Sequence, residues 1–218
     1  MKRTIWRLVF IQKQLKGWIV VLTAAVALFA LLALTLPGSG GSGMDQSVQR
    51  AMANLRSDTA TSLFKPFSNV GSTAAIAVIT LLASILIAWR QGIWRGVSVI
   101  GSVLAAFILN TLLKKGFDRI RPEDAWGITA DGASFPSGNA MLAIVMFGMI
   151  AISAAQSRSA SKGIKWVVCT AAVIVIAMMG LSRVYFNVHY TSDIIGGFAA
   201  GLAVISVAQA VMLLANKK

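Results

Sequence analysis

A histidine and an aspartate lie four residues apart near the end of the chain. His189 is the only histidine among the 218 residues, and Asp193 follows it. On a helix this spacing places both side chains on one face. A carboxylate on one imidazole nitrogen fixes the tautomer and leaves the other nitrogen free to attack an electrophile. We therefore predict that His189 is a nucleophile and that Asp193 orients it.

Three cationic residues and one helix start have the chemistry of an anion site. Six residues separate Lys114 from Arg121, and Arg183 belongs to a second polar segment. Arginine offers a planar fork of donors that suits phosphate oxygens, whereas lysine offers a point charge. Ser137 and Gly138 stand at the predicted start of a helix, where free backbone N–H groups bind anions. Together these five residues predict a phosphate pocket.

Each of these features, taken alone, also has a structural explanation. Basic residues such as Arg119 and Arg121 are typical of interfacial anchors. The Pro-Ser-Gly sequence is typical of a plain turn, and Asp193 of a helix N-cap. The combination of all of them is far more specific than any single part.

The composition of the chain is that of an integral membrane protein. Hydrophobic residues make up 57% of it and charged residues 12%, about half the charged share of a soluble domain. Six apolar segments are each close to the roughly 20 residues that cross a bilayer. The predicted fold is therefore all-α, a polytopic bundle of six transmembrane helices. We place the spans at 18–36, 70–89, 97–113, 139–155, 166–181 and 194–214.

The distribution of charge predicts how this bundle is oriented. With the N-terminus inside, four segments are cytoplasmic: 1–17, 90–96, 156–165 and 215–218. They contain 12 of the 20 Lys and Arg residues and none of the seven acids. An excess of positive charge on cytoplasmic segments is the usual rule in membrane proteins. It accounts for the net charge of +13, so a nucleic-acid partner is not expected.

Polar residues gather in two outer loops, 114–139 and 182–193. Such residues are costly at membrane depth, so their location indicates function. An even number of spans separates the two loops, which places them on the same side of the membrane. We expect the active site at the extracytoplasmic end of the bundle, in a bacterial cytoplasmic membrane, with both termini in the cytoplasm.

The sequence predicts one transmembrane domain, residues 18–215, after a basic segment. Residues 1–17 mix Trp and aliphatic side chains with Lys and Arg, which is typical of a cytoplasmic interfacial helix. A signal peptide is less favoured, because its apolar region would exceed the usual ~7–15 residues. The outer loop 38–69 begins with GSGGSG, a flexible spacer that is either a native loop or an engineered joint. Residues 44–57 predict a short surface helix.

Three motifs resemble the signature of the type 2 phosphatidic acid phosphatase superfamily, which is K-x6-RP, PSGH and SR-x5-H-x3-D. The first corresponds to KKGFDRIRP, residues 114–122, and the third to SRVYFNVHYTSD, residues 182–193. The second is PSGN and departs from the family at Asn139. The resemblance covers roughly residues 70–215 and extends to the six-span layout of the compact bacterial membrane members.

The resemblance implies a two-step phosphatase that needs neither a metal nor another cofactor. His189 would attack phosphorus and form a phosphohistidine, which water then hydrolyses, and Asp193 would orient the imidazole. The phosphate oxygens and the charge of the transition state would be held by a second set of residues. That set comprises Lys114, Arg121, Ser137, Gly138 and Arg183.

Asn139 occupies the position of the family's general acid, the PSGH histidine. Asparagine donates a hydrogen bond but cannot deliver a proton at neutral pH. General acid catalysis contributes typically ~10²–10⁴-fold. We therefore predict that the chain folds and binds its substrate but turns it over slowly. An engineered inactive variant and a natural pseudoenzyme are both consistent with this substitution.

Two classes of function stay open on the sequence. The first is a lipid phosphatase, with undecaprenyl diphosphate favoured as substrate and phosphatidylglycerol phosphate or phosphatidic acid next. The second is a catalytically silent protein that binds or transports a lipid phosphate. A metal-dependent hydrolase using Glu123, Asp124 and Asp131 is disfavoured, since no histidine accompanies them. Membrane lipids are the only other partners expected, and the oligomeric state is not predicted.

Overall fold

The computed structural model describes residues 2–215, and within them the chain forms eight α-helices and no β-strand. Six of the helices are long and apolar enough to cross a membrane, namely α1 and α4 to α8. The predicted all-α fold with six spans is therefore confirmed. The helices are α1 (Lys2–Thr35), α2 (Gly43–Asn54), α3 (Asp58–Val70), α4 (Thr73–Gln91), α5 (Ile93–Phe117), α6 (Gly138–Gln156), α7 (Lys162–Tyr185) and α8 (Thr191–Ala215).

Helix α6 lies at the centre of the bundle. It contacts α4, α5, α7 and α8, while α1 packs against α8. Its sequence is apolar on all sides, as expected for a helix with neighbours all round. Met141, Val145, Met146 and Met149 are almost completely buried on it. The N-terminus of α6, where the Pro-Ser-Gly turn lies, is thereby fixed relative to every other span that surrounds the site.

Two glycines of α8 allow α8 and α6 to approach closely. A Cβ atom on Gly197 would lie 2.5 Å from the carbonyl oxygen of Ser137, and one on Gly201 would lie 3.0 Å from that of Met141. Small residues at helix interfaces permit such contact between backbones in membrane proteins. This packing brings the Pro-Ser-Gly turn next to the first turn of α8, where Asp193 lies.

Several helices extend further than the predicted spans at both ends. At the site end, α5 continues to Phe117 and α7 to Tyr185, so the predicted loops 114–139 and 182–193 begin inside helices. The structure shows α1 as one continuous helix with no break at residue 17. A single residue, Gly92 with a φ of 103°, joins α4 to α5 where we predicted the connection 90–96. Residues 157–161 join α6 to α7 where we predicted 156–165. Hydropathy falls where charged and Trp side chains begin, but backbone hydrogen bonding continues through them. The predicted cytoplasmic charges Lys217 and Lys218 lie outside the described residues.

The segment between α1 and α4 is more ordered than the sequence indicated. The predicted helix 44–57 corresponds to α2, but α3 was not predicted; it continues through Pro66. The spacer 38–43 is tied down at both ends. The carbonyl of Gly38 accepts a hydrogen bond from the N–H of Ile120 at 3.1 Å, and Ser42 caps α2. The spacer is thus attached to the site loop.

Candidate active site

The site begins where α5 ends. Lys114 lies half-buried in the last turn of this helix, which ends at Asp118 with a left-handed φ of 42°. Aspartate is among the residues that adopt this conformation more readily than most, so the chain reverses without a glycine. After the reversal Arg119 is directed into the protein, where it is 3% exposed. Arg121, two residues later, stays half-buried.

Arg121 joins the two predicted site loops. Its guanidinium donates to the carbonyl oxygens of Asp131 at 2.8 Å, Gly132 at 2.9 Å and Val188 at 2.6 Å. Its Nη1 atom also lies 3.1 Å from Nε2 of His189. Burial lowers the pKa of Arg121, and nearby carboxylates oppose this effect. An arginine stays protonated in proteins, so a fixed positive charge lies beside the imidazole.

His189 is buried between one anion and one cation. Its Nδ1 atom lies 3.5 Å from Oδ2 of Asp193 and 3.4 Å from Oγ of Ser134. Its Nε2 atom faces Arg121, and because a guanidinium only donates, Nε2 must hold the lone pair and Nδ1 the proton. Burial, opposed by Asp193 and assisted by the charges of Arg121 and Arg183, lowers the pKa of His189 to about 4. The imidazole is therefore neutral near pH 7, with its lone pair on Nε2.

Asp193 is completely buried and fully bonded. Its Oδ1 atom accepts a hydrogen bond from Arg119 Nη1 at 2.6 Å. Its Oδ2 atom accepts one from Ser134 Oγ at 2.5 Å and one from the N–H of Tyr190 at 2.8 Å. Three donors therefore hold the carboxylate in the position from which it faces His189. This geometry can orient the imidazole, as the spacing of the two residues predicted.

The Pro-Ser-Gly turn keeps part of its predicted anion-binding capacity. Ser137 is the N-cap of α6, and its Oγ accepts from the N–H of Ala140 at 3.5 Å. The N–H of Ser137 is occupied, since it donates to the carbonyl of Asp193 at 3.0 Å. Within residues 2–215, neither the Ser137 hydroxyl proton nor the Gly138 N–H makes a hydrogen bond. Both donors can hold an anion.

Asn110 positions this turn and was missed by the sequence analysis. It lies on α5, is buried, and donates from Nδ2 to the carbonyl of Pro136 at 3.2 Å. Its Oδ1 would lie 2.8 Å from a Cβ atom on Gly138, so that glycine gives the space the amide needs. A buried polar residue inside an apolar span was the indication that could have identified it.

The C-terminal turn of α3 forms one wall of the site. The half-buried amide of Asn139 lies against Gly71, where an added Cβ would overlap Nδ2 and lie 2.9 Å from Cγ. Arg183, on the last turn of α7, donates to Oγ of Ser68 at 2.9 Å and is 8% exposed. Sequence reasoning missed Ser68 and Gly71, because nothing local relates α3 to motifs more than 60 residues away.

The predicted residues thus meet at one end of the bundle, though not all in direct contact. His189, Asp193 and Arg121 form one contiguous group. Lys114 and Arg183 lie close enough to Arg121 to interact electrostatically with it. Asn139 makes no side-chain hydrogen bond within residues 2–215. In the same part of the chain, no group of three or more His, Cys, Asp or Glu residues could hold a metal ion.

Arg119 corrects one of the sequence interpretations. We considered it as an interfacial anchor, but it is buried and pairs with two carboxylates, Asp193 and Asp45. Asp45, on α2, was not identified at all. Ser134, which bonds Asp193, was also missed. Arg119, Asp45 and Ser134 together form the back of the site, behind the imidazole.

Known proteins share this architecture, and a family model matches the segment that contains the three motifs. A model of the PAP2 superfamily matches residues 95–217. Phosphatidylglycerophosphatase B of Bacillus subtilis (strain 168) is 24% identical over 174 residues, which cover 80% of this chain and 86% of that protein. The crystal structure of a transmembrane PAP2 type phosphatidylglycerolphosphate phosphatase from Bacillus subtilis superposes with a TM-score of 0.79 and 22% identity. The superposition covers 88% of this chain and 95% of the other.

A second solved structure has the same fold with lower similarity. Aquifex aeolicus LpxE superposes with a TM-score of 0.57 and 22% identity, over 78% of this chain and 94% of the other. The superfamily match covers more than half of the chain and includes all three motifs that surround His189. The protein is therefore a multi-pass membrane protein that belongs to the PAP2 superfamily.

Proposed function

We propose that the protein is a lipid phosphatase that works through a phosphohistidine on His189. The observation that supports this most strongly is the position of His189 between Asp193 on Nδ1 and Arg121 on Nε2. In the first step the Nε2 lone pair forms a bond to phosphorus, and the bond from phosphorus to the leaving oxygen breaks. In the second step water attacks phosphorus and releases inorganic phosphate and neutral His189. Asp193 stabilises the positive charge on the imidazole between the two steps.

Five residues are proposed to hold the phosphoryl group during these steps. The cations neutralise the oxygens, and the remaining donors bind the equatorial charge of the transition state. Arg121 is well placed for this, because its guanidinium already lies on the Nε2 side of the imidazole. The proposed residues are Lys114, Arg121, Ser137, Gly138 and Arg183.

The leaving oxygen receives no proton from Asn139. An amide has no proton to give at neutral pH, and loss of a general acid costs ~10²–10⁴-fold in rate. We propose that the chain with Asn139 is impaired in turnover but retains binding. The same residue supports the second candidate function, a silent protein that binds or transports a lipid phosphate.

The proposed substrate is a lipid phosphate in a bacterial cytoplasmic membrane. We place undecaprenyl diphosphate first, because that carrier presents its diphosphate on the outer face, where the charge distribution puts the site. Phosphatidylglycerol phosphate follows, with phosphatidic acid after it. The similarity to phosphatidylglycerophosphatase B of Bacillus subtilis supports phosphatidylglycerol phosphate as the main competitor. Both termini would then be cytoplasmic.

One pair of measurements tests the proposal. The Asn139→His variant is incubated with undecaprenyl diphosphate, phosphatidylglycerol phosphate and phosphatidic acid, and released phosphate is measured. The unchanged chain is incubated with radiolabelled substrate and quenched at alkaline pH, where phosphohistidine survives. Because the chain has one histidine, the label in the unchanged chain must reside on His189. Binding without release by Asn139→His, and without label on His189, would instead support the silent binder.

A further inference from the structure

A chain of buried charges extends from His189 away from the proposed phosphate site. Asp193 faces the imidazole and accepts from Arg119 at 2.6 Å. The same guanidinium donates from Nη2 to Asp45 Oδ2 at 3.3 Å. Arg119 is 3% exposed and both carboxylates are completely buried. One cation is therefore shared between two anions, behind the side of the imidazole opposite Nε2.

Asp45 is fixed on this chain by more than the ion pair. Its Oδ1 accepts from the N–H of Ser192 at 2.8 Å, and its Oδ2 accepts from the Ser192 hydroxyl at 2.8 Å. The Ser192 hydroxyl in turn accepts from Arg119 Nη1 at 2.8 Å. Asp45 also closes a capping box with Ser42 at the start of α2. A buried charge without such partners would be strongly destabilising. The donors around position 45 therefore match a carboxylate.

The charges in this chain determine what Asp193 can do for His189. With Arg119 alone, the pair of Asp193 and Arg119 would be neutral, and Asp193 would polarise the imidazole weakly. With Asp45 added, the three groups together have one net negative charge. In a site from which water is excluded, one such charge has a large effect on a neighbouring cation. The imidazole becomes cationic as Nε2 bonds to phosphorus, so Asp45 stabilises the product of that step.

We infer that Asp45 and Arg119 are positioning residues that support the nucleophilic reaction of His189 through Asp193. This inference rests on the proposed function of His189. It also assigns a role to α2, an outer helix that lies outside the segment 95–217 matched by the superfamily model. The competing explanation is that the network only attaches α2 to the bundle.

Vanadate and inorganic phosphate distinguish the two explanations. Vanadate accepts the Nε2 lone pair and becomes five-coordinate without expelling any group, so its affinity reports the nucleophile and requires no proton delivery at position 139. Phosphate stays tetrahedral, so its affinity reports the surrounding cations. The ratio of the two affinities is measured in detergent micelles for the unchanged chain, Asp45→Asn and His189→Ala.

The inference predicts a selective effect of Asp45→Asn. Vanadate affinity should fall roughly tenfold or more, the scale on which the outer hydrogen-bond partners of metal-bound histidines act. Phosphate affinity should stay within about twofold. Asp58→Asn is the matched control, since Asp58 is an exposed acid at the start of α3, and it should change neither affinity. Equal loss of both ligands, or loss of neither, in Asp45→Asn would overturn the inference.

Two further variants, Ser192→Ala and His189→Ala, make the test decisive. Ser192→Ala removes only the hydroxyl that links Asp45 to Arg119, so it reports on the network if Asp45→Asn fails to fold. It should lower vanadate affinity severalfold and leave phosphate affinity unchanged, and an unchanged ratio would contradict the inference. If the unchanged chain and His189→Ala show the same ratio, the nucleophile itself is wrong and the proposed function fails with it. If His189→Ala changes the ratio of the unchanged chain but Asp45→Asn does not, the inference fails and the proposed function stands.

Discussion

Arg121 Nη1 lies 3.1 Å from Nε2 of His189, on the side of the imidazole where a phosphoryl group would have to arrive. The same nitrogen donates to the carbonyl of Val188, one residue before the histidine. The guanidinium and the imidazole are thus fixed to the same stretch of backbone. A cation held in this way stays beside the imidazole, and its fixed charge can stabilise the transition state of a phosphoryl group there.

The first prediction concerns the shape of that cation. Arg121→Lys keeps the charge but loses the fork that bonds Gly132, Asp131 and Val188 simultaneously. Each hydrogen bond to a charged group is worth about 1.5–3 kcal/mol, and these bonds hold the cation beside the imidazole. Without them the lysine is not fixed there, and we expect phosphate affinity to fall roughly tenfold or more. Isothermal titration with inorganic phosphate measures this. Arg90→Lys, at the opposite end of the bundle, is the control and should bind normally. Unchanged affinity in Arg121→Lys would show that Arg121 only joins the loops.

The second prediction concerns the protonation of His189. Burial lowers its pKa to about 4 from the ordinary 6.5, and because it is the only histidine, a labelled imidazole gives one unambiguous NMR signal. We expect the neutral form with its proton on Nδ1 down to about pH 5, and titration near pH 4. A titration midpoint near 6.5 would contradict the buried site.

The sign of the linked stability change follows from the same shift. Between the native pKa and the unfolded value the unfolded chain binds more protons, so stability rises with pH in that interval. The contribution of neutral His189 is therefore complete above about pH 6.5 and is lost as the pH falls toward about 4. Thermal unfolding in detergent across this interval measures it, and His189→Gln should reduce the dependence.

The prediction of six spans, and that of the candidate residues around His189, both depend on local information. Hydropathy along 20 residues identifies a span, and the motif spacing identifies Lys114, Arg121, Arg183 and His189. The back of the site and the wall formed by α3 depend on contacts between distant segments. Ser192 bonds Asp45 across 147 positions, and Arg183 bonds Ser68 across 115. No pattern within α2 or α3 distinguishes these residues from ordinary surface polar residues.

Arg119 shows why side-chain direction escaped the sequence analysis. It lies two residues from Arg121, and both follow the end of a span, where an anchoring role is the usual explanation. The left-handed Asp118 at the end of α5 reverses the chain just before them. Composition does not predict this reversal, and after it Arg119 is buried against Asp193 while Arg121 faces the imidazole.

The third prediction concerns the leaving group. A lipid monophosphate must expel an alkoxide, which depends strongly on a proton donor, whereas a lipid diphosphate expels a much better leaving group. We therefore expect Asn139→His to raise phosphate release by ~10²–10⁴-fold for phosphatidic acid and by less for undecaprenyl diphosphate. Initial rates on both substrates measure the difference. Asn139→Gln, which cannot titrate, should give no gain, and equal gains on the two substrates would contradict this explanation of Asn139.

The fourth prediction concerns the wall that Gly71 forms beside position 139. A methyl group on Gly71 would overlap the Asn139 amide, so Gly71→Ala must displace whatever side chain stands there. In the Asn139→His background we expect Gly71→Ala to slow phosphate release from phosphatidic acid roughly tenfold or more, since a misplaced acid transfers its proton poorly. Vanadate affinity should stay within about twofold, because the nucleophile and the cations are untouched.

Gly101→Ala is the matched control for this substitution. Gly101 lies on α5 with nothing within 4 Å of an added Cβ, so it receives the same methyl group without a collision and should release phosphate normally. A Gly71→Ala variant that loses vanadate binding as well would show that the C-terminal turn of α3 supports the whole site through Ser68 and Arg183. A variant that keeps full activity would show that α3 yields to the added methyl group, and that position 139 is not confined by Gly71.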